Sequence, residues 1–269
     1  MLLIKNTSNP MTQKIIPFLC FVFLFVSTNA KAEDFNSGDS TQKTYHISGA
    51  VAVTQNGFSI LPMFTLGKPA AIFDLSVGSD RIAFEPQFRF SLEGRPWSFI
   101  FWFRYKAVNQ KKFKFSIGGH PSVAFRNTSL YDKMGVPKTV LNPQQYFATE
   151  WIPSYQVSKK VSLGMYYLVS QGLTEGTNHR TNFVTVNAVI NNVLLAKDTY
   201  LRFFPQIYYL DIDGVDGYYI TETLTLSNKH IPFTISSIMN KKLRSRIPGD
   251  DFVCNISLNY LFNKQLKRI

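Results

Sequence analysis

FEPQFRFSLEGRPWSFIFWFRYKAV, residues Phe84 to Val108, carries nine aromatic rings with Glu85, Arg89, Arg104 and Lys106 set among them. A dry core rejects those charges, and a soluble surface rarely carries that density of rings. At a period of two the stretch sorts itself. Phe84, Pro86, Phe88, Phe90 and Leu92 share one face; Glu85, Gln87, Arg89 and Ser91 share the other. After the turn residues Glu93, Gly94, Arg95 and Pro96, the apolar face resumes with Phe99, Phe101, Phe103 and Tyr105. Ser98, Ile100, Trp102, Arg104 and Lys106 lie opposite. Successive strand side chains point to opposite faces, so the stretch reads as a β-hairpin with one apolar and one polar side. On this parity a charge is excluded at Phe101 and tolerated at Trp102.

The N-terminus says how the chain meets its surroundings. Lys5 and Lys14 precede the apolar run IIPFLCFVFLFV (15–26), and Ala30-Lys31-Ala32 offers a small-x-small cleavage site. That order predicts a secretory signal peptide over 1–32, cleaved near Ala32, and the run is too short to span a bilayer as a helix. The later sequence holds no run apolar enough for a transmembrane helix, which leaves an exported soluble domain or a membrane β-barrel. Only Cys254 follows the signal, so no internal disulfide forms. The chain is basic, with 29 Lys and Arg against 17 Asp and Glu. Export makes a nucleic-acid partner improbable, and much of the positive charge sits in turns such as Lys111-Lys112 and Lys159-Lys160 that can face acidic headgroups.

Segments of alternating hydrophobicity continue to the C-terminus. They are predicted at 57–66, 70–78, 82–92, 97–107, 112–125, 145–157, 160–171, 180–191, 199–210, 217–227, 230–240 and 251–262, twelve in all. Lengths near ten residues suit a tilted bilayer crossing and exceed the usual soluble strand of about five or six. Rings near strand ends (Trp97, Tyr105, Trp151, Tyr155, Tyr208, Tyr209, Tyr218, Tyr219) suit interfacial girdles. A soluble sandwich would need a more charged exterior than a chain with 15% aromatic and 17% charged residues provides. The expected fold is an all-β, antiparallel transmembrane β-barrel of about twelve strands over 57–262. Residues 33–56 are expected to form an N-terminal periplasmic or lumen segment, although 45–53 (YHISGAVAV) also reads as a strand. Residues 263–269 are expected to form a periplasmic tail. Pro86, Pro153, Pro205 and Pro232 fall inside predicted strands and mark bulges, because proline cannot donate to a ladder.

The last segment, DFVCNISLNYLF, alternates Ile256, Leu258, Tyr260 and Phe262. It resembles the C-terminal signal of bacterial outer-membrane β-barrel proteins, which ends in an aromatic residue and is read by the barrel assembly machinery. The resemblance is architectural and implies a bacterial outer-membrane location, with membrane lipids and that machinery as partners. It departs from the pattern in the NKQLKRI that follows Phe262.

An Arg or Lys facing lipid at mid-depth costs about 2–4 kcal/mol, so the mid-strand charges are expected to point inward. Glu85, Arg89, Arg104, Lys106, Lys114, Glu150 and Arg202 are the predicted lumen-lining set. Glu222 shares a face with Ile220 and Leu224 and fits neither side. The longest predicted connection, 126–144 (RNTSLYDKMGVPKTVLNPQ), carries apolar residues that a water-exposed loop does not need. It is expected to fold into the barrel mouth as a constriction, with Leu130, Tyr131, Asp132, Lys133 and Met134 at its centre.

No phosphate-binding glycine loop, metal-ligand spacing or cysteine pair stands in the sequence after the signal, so neither cofactor nor metal is expected. His120-Pro121-Ser122 resembles the His-x-Ser pair of outer-membrane phospholipase A, yet strand parity puts both residues on the lumen face, away from lipid esters. No catalytic residue is assigned. The expected function is a passive channel for small polar solutes. The alternatives are a non-conducting structural or interaction barrel and, less favoured, a lipid-modifying enzyme.

Overall fold

The computed structural model describes residues 44–61, 64–131 and 135–267; the expected signal peptide over 1–32 lies outside them. Twelve strands follow one another: β1 (Thr44–Thr54), β2 (Ala70–Ser79), β3 (Ile82–Ser91), β4 (Pro96–Asn109), β5 (Phe113–Tyr131), β6 (Pro137–Gln156), β7 (Val161–Gly172), β8 (Thr181–Ala196), β9 (Thr199–Ile212), β10 (Val215–Asn228), β11 (Phe233–Ser245) and β12 (Phe252–Lys267). Each is antiparallel to its neighbours, and β1 pairs with β12 to close the barrel. Closure leaves no sheet edge around the ring, which is the condition for placing strands in lipid.

Exposure follows the expected two-residue period. On β4, Phe103 and Tyr105 are exposed while Ser98 and Trp102 are buried. On β12, Ile256, Leu258, Tyr260 and Phe262 are all exposed, and Asn255 between them is buried. Large apolar side chains therefore cover the outside and polar ones the inside, the inverse of a soluble domain. Half of the expected girdle stands outside, with Tyr105, Trp151, Tyr155 and Tyr218 exposed. Trp97, Tyr208 and Tyr219 are instead buried inside. Trp97 turns inward at a bulge where Arg89 pairs with Ser98 but Phe90 pairs with Pro96.

The structure corrects the ends of the predicted barrel. Residues 45–53 are the first strand itself, and 57–66 is the connection from β1 to β2. The even strand number survives this exchange. Residues 263–267 extend β12 and pair with β1, from Ser48↔Asn263 to Thr44↔Lys267, in place of a tail. Gly49 sits at this seam opposite Phe262; a Cβ there would overlap the Asp74 carbonyl and the Phe262 ring. The predicted loop 126–144 is also mostly ladder. Pairing between β5 and β6 continues through Leu130↔Lys138 to Tyr131↔Pro137, beyond the rungs that reach β4 and β7, so the two strands rise as a ribbon. Asp132, Lys133 and Met134 lie outside the described residues.

Prolines interrupt pairing as their missing N–H requires. No rung to β2 forms at Pro86, none to β4 at Pro121, none to β7 at Pro153 and none to β8 at Pro205. Pro232 falls in the turn before β11. Glu222, the register partner of Pro205, lies on the outward parity of β10 and accepts the backbone N–H of Phe204 at 3.0 Å. That hydrogen bond accounts for a carboxylate among Ile220 and Leu224.

Candidate functional site

Beside β1 and β2, strands β3, β4 and β6 each send a long charged side chain inward. Glu85, Arg104 and Glu150 meet there. Arg104 Nε donates to Glu150 Oε1 at 2.5 Å and Nη2 to Glu150 Oε2 at 3.3 Å, while Nη1 donates to Glu85. Tyr166 on β7 donates its hydroxyl to Glu150 at 2.8 Å. On the other flank, Ser76 donates to Glu85 at 3.0 Å and lies 3.2 Å from His46 Nε2. The result is a belt from β1 to β7 along one wall, near the short-turn rim.

Backbone chemistry permits this belt at one position above all. Strand β5 runs between Arg104 and Glu150, and the residue in register with both is Gly118. A Cβ there would lie 2.7 Å from Glu150 Oε1 and 3.1 Å from the Phe103 carbonyl. With hydrogen in its place, the guanidinium reaches across an intervening strand to a carboxylate that has no solvent exposure. Such a two-pronged, charge-assisted pair is the arrangement that can offset the burial of both charges.

The upper lumen is built differently. The described residues of 55–69 turn inward from the rim opposite the short turns. Trp97 Nε1 donates to the Phe64 carbonyl at 2.8 Å, Arg126 Nη1 to the Thr65 carbonyl at 3.3 Å, and the Phe64 ring meets Tyr146 edge-on at 5.1 Å. Ile60 and Leu61 pack against a cluster of Trp102, Ala148, Leu168, Phe183, Tyr208, Leu210, Tyr219 and Ile247. Three of its rings form a run of contacts, Phe183 to Tyr208 at 5.1 Å and Tyr208 stacked on Tyr219 at 4.8 Å. Phe58, Ile60, Leu61 and Phe64 thus face the lumen, whereas strand parity would have given half of such a run to lipid.

Below this segment lies a cavity of about 920 Å³ to which all twelve strands contribute. Its two walls differ. Strands β2 to β5 bring Asp74, Gln87, Arg89, His120 and Ser122; strands β8 to β12 bring mostly uncharged hydrogen-bonding groups, among them Asn187, Gln206, Thr223, Ser236, Asn255 and Asn259.

Of the predicted lumen set, Glu85, Arg104 and Glu150 are brought into one network, and Arg89 and Arg202 line the cavity separately. Arg202 lies over the Phe204 ring at 5.1 Å. Lys106 and Lys114 are exposed near the short-turn rim and form no ion pair among the described residues. Leu130, assigned to a constriction, is 55% exposed on the ribbon, and Phe64 turns inward against Tyr146. Trp102 faces inward as parity predicts, with its ring against His120 at 4.0 Å and the Arg104 guanidinium above it at 4.4 Å. Sequence reasoning missed Asp74, His46, Tyr166 and Gly118. Asp74 was legible in principle, since it shares the inward parity of Ile72 and Ser76.

His120 and Ser122 both face the cavity, as parity predicts, and both are buried. His120 Nδ1 and Ser122 Oγ have no hydrogen-bond partner in the protein, so the two are not coupled as a base and nucleophile are.

No protein-family model and no curated protein matches the sequence. Solved structures do. The KdgM porin aligns with a TM-score of 0.50 at 10% identity, over 80% of this chain and 99% of that one. The same porin in complex with disordered oligogalacturonate aligns at 0.48 and 10% identity, over 81% and 99%. An outer-membrane channel from Pseudomonas putida F1 aligns at 0.48 and 9% identity, over 87% and 100%. At such identities the likeness is one of fold. The chain has the closed, antiparallel β-barrel fold of bacterial outer-membrane proteins.

Proposed function

We propose that the chain is an outer-membrane channel for small polar solutes, restricted from its outer side by segment 55–69. The observation that carries this reading is the cavity of about 920 Å³ enclosed by all twelve strands. The Glu85–Arg104–Glu150 belt joins strands along one wall and does not bridge the lumen, so the opposite wall, mostly amides and hydroxyls with Arg202 among them, stays open to solute. Short turns mark the periplasmic rim, which puts both strand termini in the periplasm and 55–69 at the outside. The exposed aromatic and aliphatic exterior meets outer-membrane lipid, and β12, ending its outward series at Phe262, is the segment offered to the barrel assembly machinery after export.

A second reading, a non-conducting barrel, is favoured by the apolar cluster that Ile60, Leu61 and Ile247 complete across the upper lumen. A lipid-modifying activity has less support, because His120 and Ser122 face the lumen without a hydrogen bond between them. Planar-bilayer recording separates the first two. The full-length barrel is expected to conduct, and deletion of 58–66 is expected to raise its single-channel conductance. Conductance unchanged by the deletion would remove 55–69 as the restriction. Silence in both forms would establish the closed barrel.

A further inference from the structure

Two charged groups of the lumen wall outside the belt, Asp74 and Arg89, differ from those inside it. Arg104 is saturated by two carboxylates. Asp74 and Arg89, by contrast, stand on adjacent strands two rungs apart (Asp74↔Gln87, Ile72↔Arg89), line the same cavity, and form no ion pair with each other. The protein holds them apart. Arg89 Nη2 donates to Gln87 Oε1 at 3.0 Å, and its guanidinium lies over the Trp97 ring at 5.3 Å. Arg89 Nε and Asp74 Oδ1 are both buried without a hydrogen-bond partner in the protein, as are His120 Nδ1 and Ser122 Oγ beside them. Leaving buried charged atoms unpaired is costly unless something else satisfies them.

We propose that Asp74 and Arg89 form a binding subsite for a zwitterionic solute, an α-amino acid with an apolar side chain, whose ammonium is received by Asp74 and whose carboxylate is received by Arg89. A simple anion placed at Arg89 meets the Asp74 charge, and a simple cation at Asp74 meets Arg89; only a solute carrying both signs satisfies both groups. Phe58, Ile60, Ile72, Ile100 and Trp102 line the same cavity and supply the apolar surface for the side chain. The inference rests on the reading of the lumen as a solute path, and it names the solute class.

The test uses the full-length barrel in detergent micelles and equilibrium dialysis with three probes of one skeleton: leucine, 4-methylpentanoate (no ammonium) and isoamylamine (no carboxylate). Leucine is expected to bind saturably and at least about tenfold tighter than either analogue, the worth of one charge-assisted hydrogen bond. Asp74→Asn is expected to remove the preference of leucine over 4-methylpentanoate, and Arg89→Gln its preference over isoamylamine, with the heat-dependent gel shift of a folded barrel retained. Leucine binding no tighter than either analogue to the unaltered protein overturns the inference without recourse to a variant, as does loss of both preferences in each variant alike. Conductance without leucine preference would defeat this inference alone. Leucine binding in a barrel that does not conduct would keep the subsite and defeat the channel.

Discussion

Removing Glu150 tests whether the belt is a true ion-pair network. Its side chain has no solvent exposure and that of Arg104 keeps 27%. Glu150→Leu takes away both acceptors of Arg104 Nε and Nη2 and the acceptor of the Tyr166 hydroxyl, and leaves the guanidinium only Glu85. Breaking one side of a buried pair costs about 3–5 kcal/mol. The partial exposure of Arg104 lets water recover some of this, so about 3 kcal/mol is expected. Arg104→Met strands a fully buried carboxylate and falls at the upper end, about 5 kcal/mol. The double variant strands neither, and its loss is expected to be no greater than that of Arg104→Met, a coupling of about 3 kcal/mol. Reversible urea unfolding in lipid bilayers, followed by tryptophan fluorescence, gives all three values. Losses that add to within about 0.5 kcal/mol would refute the network, since independent sites behave that way.

Two further outcomes are expected. Phe103 is 57% exposed on the outside of β4, so Phe103→Arg should cost about 2–4 kcal/mol in the bilayer and reduce heat-modifiable barrel in assembled vesicles, while Phe103→Leu assembles normally; equal yields would contradict the lipid-facing assignment. Asp213, in the turn between β9 and β10, accepts the backbone N–H groups of Arg180 at 2.7 Å and His179 at 3.1 Å, and the Arg180 bond first among these holds its carboxyl below the usual Asp range. Because the folded value is depressed, the cap stabilises the turn above the ordinary Asp range and is lost as pH falls through the lowered value. The Arg180 and His179 amide shifts should therefore titrate together with a midpoint below that of an unperturbed Asp, and a midpoint at or above it would contradict the cap.

Where each face of a strand meets a single solvent, the sequence was readable. The parity of β3, β4 and β12 was right because lipid on one side and a polar lumen on the other punish any slip of one residue. Segment 57–66 was misread for a related reason. Its apolar residues mimic half of an amphipathic strand, but the lumen also offers an apolar surface, the Trp102–Tyr208–Tyr219 cluster, and no local pattern distinguishes burial there from exposure to lipid. The same cluster removed Tyr208 and Tyr219 from the expected girdle, and the bulge at Phe90 removed Trp97. At the C-terminus the error came from stopping at an aromatic residue, whereas pairing with β1 carries β12 five residues further.

The charged belt was legible as a set of residues but not as a connected object. Inward parity for Glu85, Arg104 and Glu150 follows from the cost of placing them in lipid. Their meeting depends on register between β4, β5 and β6, and that register passes two irregularities, the bulge near Lys106 and the missing rungs at Pro121. Gly118 held the clue. A glycine in mid-strand sacrifices packing and conformational entropy, and it repays that loss where another group must pass over the backbone. Here the passing group is the Arg104–Glu150 pair, and any side chain at 118 would meet Glu150 Oε1 at 2.7 Å. The glycine is therefore as much a part of the belt as the charges it lets through.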